Sequence, residues 1–592
     1  MSLSDLALTM FGGVGRVVAR ICGDLETAGI REYPPAYGSI VVLLTVISFL
    51  GSLGVAVALI FLGASGVVLV LTLVGIPALV FTLGVAYPRI RLADRSSSLA
   101  SEVPFAAGYT AVMSTGGISP YASITRLQSV PLLPNFSKSA KIVDISVRGL
   151  GQDPVTALEK MAKTTPNAEF KELLLGYAST LRSGGDVVHY LLRRTEILFQ
   201  ERLSSLKRTG ENVAQVMEVY MAVTIVLSLG IYSVFAVSMA LSNVMSQAGG
   251  MLFSNPMTFF LFGYIVMPMF TMVFLWLTDV IQPKYPVEDN STYVVFALTG
   301  IPIGTVLALF LFLPYLIEPL SRIEILSVGP SLLAQFTTAL GLERGYESSF
   351  GLLITLIAAT IPAAAYNTYI DLRERGIEFG LSNFLRDLVE VRKSGLSPEK
   401  CIINLSNRNY GTLTPHLRVA ARQLAWGISF QEIFDHFSSK VRSWLSKISM
   451  FLLVDAINVG GGTPETLETL ARFNESIISM EKEKKSMMRP LLLVPYIGMA
   501  VLVFVMVTLL TFFRSMMGLV GKTLPFADLV QILLPPLIIN VYGMGLVGGK
   551  IANGKVSSGF FHAILLLALT FVALCLSTYY SIGIAVPGVA GG

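Results

Sequence analysis

Two stretches of the chain end in residues that could hold a nucleotide phosphate. "GLVGKT" at 518–523 closes on Gly521, Lys522 and Thr523, and "GLVGGKI" at 545–551 contains Gly549 and Lys550. A phosphate-binding loop wraps the anion in backbone N–H groups. It needs glycine at its first position and a hydroxyl directly after the lysine. The first-position residue of the first stretch is Met516, and Ile551 follows Lys550 in the second. Neither is a phosphate loop. The three cysteines, Cys22, Cys401 and Cys575, form no pair motif, and the four histidines are scattered. No disulfide framework or metal-ligand set follows from such spacing. There is no dinucleotide fingerprint, no HExxH and no nucleophile–His–acid set. The sequence predicts no catalytic residue, no cofactor and no metal, so any ATP hydrolysis tied to this chain comes from a partner.

The background explains the missing chemistry. Of 592 residues, 53% are hydrophobic and 14% charged, whereas a soluble domain carries about 25% charged residues. This is the composition of an integral membrane protein. Apolar runs long enough to cross a bilayer occur nine times: 39–61, 65–87, 216–241, 257–279, 292–317, 349–366, 490–513, 526–548 and 560–585. The first 38 residues are mixed polar and charged and read as no cleavable signal. A net charge of +5 is mild and does not indicate a nucleic-acid partner.

Two polar islands, 88–212 and 367–488, hold most of the charge, and their apolar residues recur at helical spacing. The expected fold is therefore all-α: a polytopic membrane protein with two helical-bundle domains. "GGISP" at 116–120 and "SGLSP" at 394–398 share one skeleton. Gly117 and Gly395 end a helix, Ser119 and Ser397 cap the next, and Pro120 and Pro398 take its first turn. Further along, Gly151 aligns with Gly427 and Gly185 with Gly462. The three offsets are 278, 276 and 277. Collinear matches at a near-constant offset indicate an internal duplication, with glycine at turns that need φ > 0.

Each island ends in a long charged helix that runs into a span. Arg193, Arg194, Lys207 and Arg208 precede the third span, and Lys482, Lys484, Lys485 and Arg489 precede the seventh. Arg392 and Lys393 stand beside the second Gly-x-Ser-Pro turn. Two readings of these charges are open: anchors on anionic headgroups, or a docking surface for a partner. With the N-terminus inside, both islands face the cytoplasm and the C-terminus lies outside, as the distribution of Lys and Arg favours. Only Arg514 and Lys522, in the outside loop 514–525, oppose this scheme. Gly545 and Gly549 have the spacing for close helix approach, within this chain or between two copies.

The order and duplication of these features resemble those of proteins with two type II secretion F domains, and nine spans resemble the archaeal branch: the platform proteins of the archaellum and of archaeal type IV pili. The segment "LETAGIREYPPAYGSIVVLL" (25–44) is similar to their entry segment. The resemblance implies an N-terminal cytoplasmic segment (1–38), spans one and two (39–87), a first F domain (88–212), spans three to six (213–366), a second F domain (367–488) and spans seven to nine (489–592). It also implies a non-enzymatic platform in the cell membrane. Its partners would be a hexameric secretion ATPase docked on the two cytoplasmic domains, for which the basic residues named above are candidate docking or anchoring groups, pilin- or archaellin-like subunits, the lipid bilayer and a second copy of the platform. The alternatives are a secondary transporter or channel, and a membrane-bound enzyme. A transporter usually keeps ionisable groups within its spans. Here Glu218, Asp279, Asp528 and His562 lie near span ends.

Overall fold

A computed structural model describes residues 3–22, 32–61, 66–241, 262–282, 289–317, 323–342, 344–460, 462–520 and 526–579, with Leu25, Ala28, Ile30, Tyr285 and Leu320. Every regular element among them is a helix. The loop 242–256, residues 521–523 of the GLVGKT stretch and the C-terminal residues 580–592 lie outside this description.

The chain opens with α1 (Leu3–Cys22) and α2 (Pro34–Phe61), which pack on α3 (Gly66–Thr115). α3 continues from the predicted second span into the first island. There it is followed by α4 (Pro120–Arg126), α5 (Pro134–Asp144), α6 (Pro154–Thr164) and α7 (Ala168–Arg182). α8 (Val187–Leu241) leaves the island and runs into the third span without a break. Then come α9 (Met267–Ile281), α10 (Ile301–Leu311) and α11 (Glu324–Ala339). α12 (Glu347–Lys393) enters the second island, which continues through α13 (Pro398–Leu405), α14 (Thr414–Ala425), α15 (Phe430–Lys440) and α16 (Trp444–Gly460). α17 (Pro464–Met488) leads out to α18 (Leu493–Val520), α19 (Phe526–Asn553) and α20 (Gly559–Tyr579). Eight helical stretches among the described residues are long and apolar enough to cross a membrane, rather than nine. The predicted span 65–87 lies in α3, where several side chains fall outside the description.

Helices α3–α8 and α12–α17 correspond one to one, and so do their turns. Gly117 and Gly395 have φ of 84° and 88°, and Gly151 and Gly427 have 65° and 76°. The Ser119 hydroxyl accepts from the N–H of Ala122 at 3.3 Å, and that of Ser397 from the N–H of Lys400 at 3.5 Å. Pro120 and Pro398 each open the helix that follows. The third turn differs from the sequence alignment. The partner of Gly462 (φ 55°) is Gly184 (φ 69°), whereas Gly185 does not adopt a positive φ. Two adjacent glycines are equivalent to a sequence reading. The backbone distinguishes them, because only one occupies the left-handed C′ position that ends α7.

The membrane bundle is built around α19. Leu533, Leu537, Val541 and Met544 are fully buried there, while Met272, Trp276 and Leu298 on other spans are about 65–72% exposed, as contact with lipid tails allows. The Gly545–Gly549 pair closes on α20 of the same chain. A Cβ on Gly545 would lie 2.3 Å from Ala563 Cα, and one on Gly549 would lie 2.2 Å from Gly559 Cα. This motif therefore serves packing within the chain.

The register of the third turn is testable by thermal unfolding of the purified protein in detergent. Gly184→Ala should cost about 1–2 kcal/mol, the strain of placing a Cβ in a left-handed conformation. Gly185→Ala should cost less than half as much, since its φ is not positive and the tightest contact of its added Cβ is the Thr180 methyl, at 3.1 Å. Equal costs would contradict the Gly184–Gly462 equivalence.

Candidate functional site at the junction of the two bundles

The two repeated bundles do not stand apart. One continuous hydrophobic core takes side chains from both, including Phe105, Tyr109 and Phe199 from the first and Trp444, Phe451 and Phe473 from the second. α3 and α17 approach so closely at Gly108 that a Cβ there would lie 1.8 Å from the Phe473 ring. Phe105 meets Trp444 edge-on at 4.7 Å, and Phe199 meets Phe473 at 5.2 Å. The Trp444 indole N–H donates to the carbonyl of Leu132 at 2.9 Å.

The polar centre of this junction is Asp455, the one acid on α16. Its side chain is 8% exposed. It accepts from the Tyr109 hydroxyl at 2.5 Å and from two nitrogens of Arg126 at 2.5 and 3.2 Å. A buried carboxylate is tolerable only with such partners. Burial, and then the Asp455 charge, push the Tyr109 hydroxyl well above its usual range. The hydrogen bond to Asp455 raises Arg126 as well. Both tyrosine and arginine are thus held in their donor forms. A second buried acid, Glu102, caps α5 from across the bundle. It accepts from the N–H groups of Asn135 and Phe136 at 3.1 and 2.7 Å and from the Asn135 amide at 2.8 Å. Burial pushes its carboxyl up against the opposing pull of these bonds. The loop before α10 joins the same region. Tyr285 stacks on Trp444 and donates to Glu481.

The predicted basic residues fall into three groups. Some are bound within the first bundle: Arg193 to Glu196 at 2.8 Å and Arg194 to Glu172 at 2.5 Å. Others tie parts of the fold together. Lys207 on α8 meets Glu483 on α17 at 2.9 Å, and Lys484 pairs with Glu481 and lies over the Tyr285 ring. Lys393 reaches Glu468 at 3.3 Å. Arg392 donates to the carbonyls of Gly462 and Leu396 at 2.8 and 2.7 Å, binding the first and third turns of the second bundle. A guanidinium so used is a brace, not a docking group. The third group, Arg208, Lys482 and Arg489, is exposed and forms no ion pair with a described residue. Lys485 and Lys482 line a groove with Arg489 at the start of α18.

Sequence reading missed the Asp455–Tyr109–Arg126 cluster and Glu102. One signal was present. Each acid stands alone in an apolar helical run, "FLLVDAINV" and "LASEVPFAAGY", and a lone acid in such a run needs a partner.

No group of three or more His, Cys, Asp or Glu side chains among the described residues could hold a metal ion. Lys550 of the second glycine-lysine stretch is buried in α19 and pairs with Asp279 at 2.5 Å. His562 meets the Tyr496 hydroxyl at 3.0 Å. These groups position helices.

The fold and this junction define a class: a helical membrane protein whose two repeated bundles share a core and are joined to spans by long helices. The family description that matches is type II secretion system (T2SS), protein F, found twice, at residues 106–235 and 384–511. The chain therefore carries two protein F domains. An uncharacterized protein of Methanocaldococcus jannaschii is 22% identical over 79% of this chain and 74% of its own length. The flagella accessory protein J of the same organism is 21% identical over 60% of this chain and 58% of its own length. No solved structure matches.

Two measurements follow, one on the junction and one on the second bundle. Asp455→Ala leaves Tyr109 and Arg126 without their acceptor and should lower unfolding stability by about 2–3 kcal/mol. Asp455→Asn keeps a neutral acceptor and should fall in between. A loss under about 0.5 kcal/mol, the range of an ordinary surface change, would remove the cluster from its structural role. The second concerns His416. Burial, and then Arg373 and His436, hold its pKa below the ordinary 6.5. The unfolded chain then binds the proton that the folded one refuses. The stability contribution is full above pH 6.5 and is lost as pH falls through the depressed value. Melting temperature should therefore drop on acidification across this window, and His416→Phe should flatten that slope. An unchanged slope would show that other groups set it.

Proposed function

We propose that this protein is the membrane platform of a filament-assembling machine of the type IV pilus or archaellum kind. Its two bundles face the cytoplasm, dock a hexameric secretion ATPase and pass the motion of that motor to the spans, where pilin-like subunits are lifted into a filament. The platform itself performs no catalysis. The observation that carries this reading is mechanical. Two bundles fused through one core connect to the membrane by helices of 47 to 55 residues, such as α3, α8 and α12. A push on the bundles then moves span ends without an intervening flexible linker. The two protein F domains and likeness to a flagella accessory protein support the same reading.

A transporter would need an ionisable path between the spans. Of the ionisable groups described there, Lys550 is paired with Asp279, and the Asn540 amide donates to the Tyr232 hydroxyl at 3.2 Å.

Docking is tested by affinity isolation from gently solubilised native membranes. The wild type should bring down a hexameric ATPase. Reversing the exposed charges (Arg208→Glu, Lys482→Glu, Arg489→Glu) should cut recovery about tenfold, the usual reach of interface charges, with melting temperature unchanged. If no ATPase accompanies the wild type across several detergents and salts, the platform reading falls, and substrate flux in liposomes becomes the deciding assay.

A further inference from the structure

We infer that the first bundle holds a binding site for a phosphate-bearing anion, the headgroup of an anionic membrane lipid. α3, α5 and α6, with Ala28 and Ile30 from the segment between α1 and α2, line a cavity of about 850 Å³. Five basic side chains line it: Arg91 and Arg95 from α3, Lys138 and Lys141 from α5, and Lys160 from α6. No described carboxylate lines it. Three described acids nearby are committed elsewhere. Asp144 pairs with Arg148 at 2.8 Å, Glu159 pairs with Arg182 at 2.9 Å, and Glu102 caps α5. Lys138 helps to hold Glu102 charged, but Glu102 is buried behind the cavity wall. Like charges gathered in a cleft with low-dielectric walls repel one another and focus their field into it. A resident anion relieves that repulsion.

The internal repeat supplies a second, independent observation. Arg95, Lys138 and Lys160 correspond to Arg373, His416 and His436, at offsets of 278, 278 and 276. All three positions are of basic type in both copies. The copies differ in space. In the second bundle Thr412 fills the position beside Gly376, where an added Cβ would lie 2.4 Å from its hydroxyl oxygen. In the first, the counterpart of Gly376 is Ser98, which lines the open cavity. A basic residue type at three positions belongs to the repeat, whereas the two arginines with three lysines and the open cavity belong to the first copy.

Depth selects a lipid over an acidic protein surface. α3 leaves the predicted second span at Tyr87. At about 1.5 Å per residue, Arg91 and Arg95 lie about 6 and 12 Å further on, at headgroup level and just beneath. Beside the lysines, Ile142 and Ile145 are 49% and 63% exposed. They form an apolar ledge where a glycerol backbone and the start of an acyl chain would rest. Basic clusters next to a span attract anionic lipids; this one also encloses them.

The test uses the full chain in nanodiscs of phosphatidylcholine with a minor fraction of phosphatidylglycerol, followed by detergent extraction and mass spectrometry of the retained lipid. The wild type should retain phosphatidylglycerol above its bulk share. Lys138→Gln, Lys141→Gln and Lys160→Gln together should lower that retention about tenfold or more. Lys207→Gln with Lys482→Gln, outside the cavity, should not. Ser98→Phe blocks the cavity with no change in charge and should also lose the lipid, which separates a site from general attraction. No enrichment in the wild type, or full retention in the triple variant, overturns the proposal. If glycerol 3-phosphate or inorganic phosphate binds the lipid-free protein while no lipid is enriched, the phosphate chemistry stands and the lipid source is overturned. If the triple variant instead loses a protein partner and lipid is never enriched, the cavity takes an acidic protein surface and the lipid site is overturned.

Discussion

A carboxylate removed from water must keep its partners, and in this protein that requirement joins two domains. Asp455 belongs to the second bundle, and both groups that satisfy it belong to the first. Separating the bundles would strand a charge in an apolar core, at a cost of several kcal/mol for an unpaired buried ion. The aromatic cluster around Trp444 and Phe473 adds apolar area to the same contact. The hydrophobic surface alone would let the bundles slide. The carboxylate, held by a phenol on α3 and a guanidinium at the end of α4, fixes their register. The two copies therefore move as one body, and a partner that grips either copy moves both.

Duplication fixed the helix order and the turns, and the copies then diverged in how they satisfy the same needs. The start of α5 is capped by Glu102 reaching across from α3. The counterpart of Glu102 is Gly380, packed so tightly on Tyr410 that a Cβ would meet its carbonyl at 2.4 Å. There Leu413 at the N-cap supplies no side-chain cap, and the Thr414 hydroxyl instead accepts from the Tyr410 N–H of the preceding turn at 2.7 Å. Likewise, Tyr109 in the first copy stands where Asp387 stands in the second. Asp387 bonds Arg408 and Tyr410 within its own bundle. The first copy spends this position on the junction, while the second spends it on itself. Such asymmetry is expected when two copies must fit together rather than merely coexist.

Local chemistry was legible in the sequence, and long-range pairing was not. Gly-x-Ser-Pro reads as a turn because each residue acts on its immediate neighbours, and the φ values at Gly117 and Gly395 follow from that. The choice between Gly184 and Gly185 could not be read, because it depends on where α7 ends by a single residue. The basic residues were recognisable as a set, but their roles depend on partners far along the chain. Arg392 braces a turn that lies 70 positions away in sequence, whereas Arg208 points to solvent. Asp455 was visible as a lone acid among apolar residues, yet nothing in the sequence named Tyr109 and Arg126 as its partners. Helical spans were legible from composition alone. The close contact of α19 with α20 needed coordinates to decide between packing inside the chain and between chains.

The two exits to the membrane are built differently, and this bears on how motion would pass. α8 runs 55 residues from the first bundle into its span as one helix. α17 ends at Met488, and a short 3-10 turn over Arg489–Leu492 precedes α18. Pro490 explains the break, since it removes a backbone donor and clashes with the preceding turn. Tighter turns of this kind inside long helices often mark hinges. Rotation of the joined bundles would be carried along α8 directly, whereas α18 could change its angle at Pro490. The ion pair between Lys207 and Glu483 holds the two exits together on the bundle side of that break. One continuous exit and one interrupted exit, tied at the base, would convert a turn of the bundles into a relative movement of the third and seventh spans. Two equally rigid exits could only tilt the membrane bundle as a whole.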